Sequence, residues 1–83
     1  MAKFIRHDAE GEKDWVEADI STLKKMQGYV DGLIELVWLN DEYVLVVNEE
    51  GLIKGLPFNY NASYLANKPI VGDAIYCKHN EIK

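Results

Sequence analysis

The sequence predicts an α+β fold, a small mostly antiparallel β-sheet with one main helix packed on one face and a short second helix. Short β-rich runs recur along the chain, separated by Gly, Asn and Asp turn chemistry. One segment, residues 20–30, carries apolar side chains at helical spacing. No linker, repeat or low-complexity tract divides the 83 residues, so 1–83 reads as a single domain.

Lys3-Phe4-Ile5-Arg6-His7 reads as a first strand, Asp8-Ala9-Glu10-Gly11-Glu12 as a polar turn, and Lys13-Asp14-Trp15-Val16-Glu17-Ala18 as the return strand of an opening hairpin. Asp19 is placed to cap a helix running from Ile20 to Val30, with Ile20, Leu23, Met26, Gln27 and Val30 sharing one face. Gly28 inside that helix costs ~1 kcal/mol against Ala, which hints at close packing on a sheet or an early fray. Gly32 suits the left-handed position that ends it.

The apolar runs 33–39 and 43–47 flank the turn Asn40-Asp41-Glu42 and predict a hairpin with both strands largely buried. Asn48-Glu49-Glu50-Gly51 predicts the next tight turn, with Gly51 left-handed and Leu52-Ile53-Lys54 extending the sheet. Beyond Gly55 the alternation stops. Asn61 is placed to cap a short helix through Leu65, stopped by Asn67 and Pro69. Ile70-Val71-Gly72-Asp73 then turns into a last strand, residues 74–79.

The formal charge of −5, from 14 acids against 9 Lys+Arg, argues against direct nucleic-acid binding, because phosphate neutralisation needs clustered cations. The acids are spread along the chain and interrupted by lysines, a poor basis for an acidic DNA mimic. No segment reaches the ~20 apolar residues of a membrane span, and no apolar stretch opens the chain as a signal peptide would. The single cysteine, Cys77, excludes an internal disulfide and fits a reducing, cytoplasmic setting. A core this thin favours homo-oligomerisation.

Chemistry-bearing groups are few. Cys77, His79 and His7 are the soft ligands, too few for a structural metal site, so no metal and no cofactor is expected. Ser21 and Ser63 lie where capping is the ordinary role. Gly51, Gly55 and Gly72 form no phosphate-cradling motif, and no catalytic grouping emerges, so the chain is not expected to be an enzyme. The 48–61 segment stands out. It gathers Asn48, Asn59, Tyr60 and Asn61 beside Lys54, on a loop shaped by Gly51, Gly55, Pro57 and Gly72. Amides and phenol rings of this kind suit a protein partner or a small nucleotide-like ligand, with Lys54 and Lys68 as the nearby cations; the alternative is structural, with Asn holding turns and caps and Tyr and Phe closing one end of a thin core.

Gly28-Tyr-Val-Asp-Gly-Leu-Ile-Glu35, Asn48-Glu49-Glu50-Gly51, Gly55-Leu56-Pro57 with Asn59, and Ile70 with Gly72-Asp73 follow one another in fixed order. In these motifs, across residues 13–76, the chain resembles a family of small domains of unknown function from bacteriophages and mobile elements. It departs from the pattern at Asp31, where that family often has Gly, and in the tail Tyr76-Cys77-Lys78. The resemblance implies an accessory protein acting in the bacterial host cytoplasm by stoichiometric binding, either blocking a host protein in an anti-defence role or sequestering a nucleotide signal as an oligomer. It further implies that Gly51, Gly55 and Pro57 shape the loop while Asn48, Asn59 and Tyr60 face the partner.

Overall fold

The computed structural model describes residues 1–82. Five strands form one sheet: β1 (Lys3–Ile5), β2 (Val16–Glu17), β3 (Ile34–Trp38), β4 (Tyr43–Asn48) and β5 (Ala74–Lys78). Every pairing is antiparallel, and the order across the sheet is β2-β1-β5-β4-β3. The last strand therefore lies in the middle, between the opening hairpin and the central one. The α+β class and the mostly antiparallel sheet are as the sequence predicts.

Three α-helices replace the expected main helix and short companion: α1 (Leu23–Val30), α2 (Gly51–Lys54) and α3 (Tyr60–Ala66). They cover both faces. Alternation along β4 sends Val44 and Val46 to one side, where they meet Met26 and Val30 of α1 together with Ile75 and Cys77. Leu45 and Val47 point to the other, against Ala62 of α3, Ile70 and Ala74. Covered on two faces, β4 is buried from Val44 to Asn48, which is why its sequence is a continuous apolar run. β3 is not its equal. It forms the sheet margin and has only half-buried and exposed residues, contrary to the expectation of two buried strands.

Several boundaries differ from expectation for local reasons. Thr22, not Asp19, caps α1, its Oγ1 accepting from the Lys25 N–H at 3.1 Å. Asp19 instead accepts from the Ser21 N–H and from Lys25 Nζ at 2.7 Å, leaving Ile20 as a buried residue ahead of the helix. Asp31, rather than Gly32, takes the left-handed position after α1, at φ 62°. Gly28 is exposed and has nothing packed on it. Residues 52–54 form α2 and not a strand; Gly51 is its buried first residue, and Gly55 supplies the left-handed exit at φ 68°. Asn59 caps α3 in place of Asn61, and the strand ends at Lys78, putting His79 in a 3-10 turn.

Candidate functional site

Asn59 is completely buried, and its amide is fully engaged within the domain. Nδ2 donates to the Ile5 and Gly72 carbonyls at 3.1 and 2.9 Å, while Oδ1 accepts from the Ala62 N–H at 3.0 Å. One side chain thus ties α3 to β1 and to the approach of β5. Asn48 works in the same way at the end of β4. It donates to the Val30 and Asp31 carbonyls, closing the exit of α1, and accepts from the Glu50 N–H at the entry to α2. Asn61 donates to the Ala9 carbonyl at 2.8 Å and accepts from Trp15 Nε1 at 3.3 Å. Of the three asparagines expected to face a partner, Asn48 and Asn59 are buried and Asn61 is half-buried, and all three bond to the domain itself, holding the segment that carries the other candidates.

What that segment presents outward is aromatic. Tyr60 and Tyr64 lie one turn apart on α3 and are 74% and 87% exposed. Phe58 sits edge-on to Tyr60, ring centroids 4.7 Å apart. Neither tyrosine hydroxyl has a hydrogen-bond partner among the described residues. The three rings border an open hollow of about 870 Å³ that also takes in Asn61 and Ser63, with Glu10 and Lys68 as its charged members. Of the predicted contact residues, Tyr60 and half-buried Asn61 border this hollow. Phe58 and Tyr64 escaped the sequence-based set, although the spacing of Tyr60 and Tyr64 is that of one helix face.

Lys54 does not border this hollow. Its Nζ lies 3.3 Å from the Asp31 carbonyl, on the side of α1 and β3. Of the expected loop-shaping residues, Gly51 and Gly72 sit against Val71 and Leu56. Gly51 packs so closely on Val71 that a Cβ would stand 2.9 Å from Val71 Cγ2, and Gly72, at φ 80°, donates to the Pro57 carbonyl. Ser63 is held by Ile70, its Oγ accepting from the Ile70 N–H and donating to the Ile70 carbonyl.

The remaining reactive groups are engaged elsewhere. Cys77 is buried in the α1-side core, where burial pushes its thiol up to about 11, so it stays protonated. His79 stacks on Trp38 at 4.4 Å. His7 and Asp73 are joined twice: Asp73 Oδ1 accepts from the His7 N–H at 2.8 Å and lies 3.1 Å from His7 Nδ1. No group of three metal-ligating side chains occurs among the described residues. Asp8, Asp19, Glu42 and Glu81 each lie within ion-pair distance of a cation, which dilutes the acidic surface a DNA mimic would need. The Lys25 ammonium and Ser21 hold the Asp19 carboxyl below the usual range. No helix among the described residues is long and apolar enough to cross a membrane.

Fold and surface together define a small α+β domain, helices on both faces of an antiparallel sheet, with an aromatic ridge beside an open hollow. The chain belongs to the family described as a domain of unknown function (DUF3846), whose model matches residues 3–83. No curated protein and no solved structure matches it significantly.

Proposed function

We propose that this domain is a non-catalytic binding protein that docks a protein partner through Phe58, Tyr60 and Tyr64. The observation that carries the reading is the pair of solvent-exposed tyrosines on a helix whose cap, Asn59, is locked into the core. Rings presented from rigid backbone lose little conformational entropy on contact, and Tyr is enriched among residues that dominate interface energies. A protein is favoured over a small nucleotide because Lys68 is the single cation at the hollow and Glu10 offsets it. Following the motif resemblance, the reading extends to a bacteriophage or mobile-element accessory protein that blocks a host protein stoichiometrically in the bacterial cytoplasm, as an anti-defence factor.

The test is capture from a bacterial lysate, followed by reconstitution with the purified captured protein. A stoichiometric complex is expected. Its Kd should rise at least ~30-fold in the Tyr60→Ala/Tyr64→Ala variant, the size of a hot-spot loss, while circular dichroism stays unchanged. A complex indifferent to both tyrosines overturns the assignment. Thermal stabilisation by a cyclic nucleotide, lost in the same variant, would replace the protein partner with a small ligand.

A further inference from the structure

The two margins of the sheet are built differently. β2 is a two-residue strand that includes charged Glu17, a short edge of the kind that discourages pairing. β3 is five residues long, unbroken in register, and has no Lys or Pro; Glu35 is its one charge. Its pairing with β4 leaves a defined set of main-chain groups unused. Leu33 accepts from the Glu49 N–H and Leu39 donates to the Tyr43 carbonyl, so odd-numbered residues of β3 bond inward. The N–H and C=O of Ile34, Leu36 and Trp38 therefore point out of the sheet.

We propose that β3 pairs antiparallel with β3 of a second copy, with Leu36 on the two-fold axis, to form one continuous sheet across the dimer. This contact is separate from the aromatic ridge. Centring on Leu36 sets Ile34 opposite the second copy's Trp38 and Leu36 opposite its own equivalent, so all the outward-pointing groups find partners. Moving the centre to Glu35 would set the two Glu35 side chains face to face. Moving it to Val37 would leave Ile34 paired with a turn residue. In the Leu36-centred register Glu35 meets Val37, so the one charge on the strand avoids its copy.

The surface beside β3 fits the same occupant. On the α2 side a groove of about 380 Å³ runs between Glu35, Val37, Leu52, Ile53 and Pro69, and Leu52 and Ile53 are 81% and 87% exposed. The second copy's Val37 and Leu39 enter beside that groove and cover apolar surface that is otherwise bare.

Sedimentation equilibrium on the full chain tests this, beside Trp38→Pro, which removes an outward N–H without touching the β4 ladder. Wild type is expected as a dimer, and Trp38→Pro as a monomer with unchanged circular dichroism. Should Trp38→Pro fail to fold, Glu35→Cys/Val37→Cys decides. These positions face each other only across the two-fold and should form an intermolecular disulfide under mild oxidation. A wild type that stays monomeric at hundreds of micromolar overturns the proposal, including the case in which the edge serves a strand of some other protein. So does a dimer in which the cysteine pair does not cross-link.

Discussion

Asn59 illustrates how much a single carboxamide can hold. Its replacement by Ala would strip the Ala62 N–H of its acceptor and take a donor from each of the Ile5 and Gly72 carbonyls, in a region closed to solvent. Unmet buried groups cost about 1–3 kcal/mol each, partly relieved by water entry, and the lost helix cap adds about 1 kcal/mol. Asn59→Ala should therefore lower unfolding free energy by about 3–4 kcal/mol in urea titration, a large part of what a small domain has. Asn59→Asp should be no milder, since a carboxylate oxygen would face two carbonyl oxygens. A loss below about 1 kcal/mol would mean that these bonds contribute little to the fold. Sequence reading found the asparagine cluster but left its amides open between turns and caps on one side and a partner on the other. An amide that binds its own main chain and one that binds another molecule look alike in sequence. What decides is Ile5 and Gly72, brought to Asn59 only when the sheet closes.

Helices and strands were legible where a pattern belonged to the element alone, and obscure where a neighbour decided. Met26 and Val30 are buried on α1 as their spacing predicts, and the apolar run of β4 is the sheet's most buried strand. The start of α1 moved to Thr22 because Asp19 found Ser21 and Lys25 instead of the helix N-terminus. Leu52-Ile53-Lys54 resembles a strand by composition, yet no sheet position is open to it after β4, and Gly55 lets it close as one helical turn. The glycines allow a direct check on these surroundings, because one substitution has opposite signs in two helices. Gly28 lies in α1 with no heavy atom within 4 Å of an added Cβ, so Gly28→Ala should raise stability by about 0.5–1 kcal/mol. Gly51 opens α2 against Val71, whose side chain and carbonyl oxygen would lie 2.9 and 3.5 Å from that Cβ. Gly51→Ala should destabilise by about 1–3 kcal/mol through overpacking. Urea midpoints of the two variants moving in the same direction would contradict this placement of α1 and α2.

Two cores on opposite faces of one sheet raise the question of whether either can come apart alone. The α1-side core takes Val44, Val46, Ile75 and Cys77 from β4 and β5, and the α3-side core takes Leu45, Val47 and Ala74 from the same strands. Losing the order of β4 and β5 together removes at least half of each core at once. Neither half of an 83-residue chain buries enough apolar surface to persist without the other. The two tryptophans sit so as to report on this. Trp15 packs against Tyr76 and donates to Asn61, on the α3 side. Trp38 shares the α1-side face of β3 with Ile34 and Leu36 and stacks on His79. Trp38→Phe leaves Trp15 as the sole tryptophan, to be excited selectively above tyrosine absorption, and Trp15→Phe leaves Trp38. In each variant the fluorescence transition in urea should coincide with the loss of far-ultraviolet circular dichroism, even where the two variants differ in midpoint. Were Trp15 fluorescence to change before the dichroism in Trp38→Phe, α3 would be opening as a separate unit. The shared strands would then fail to couple the faces, and the aromatic ridge would rest on a mobile support instead of a rigid one.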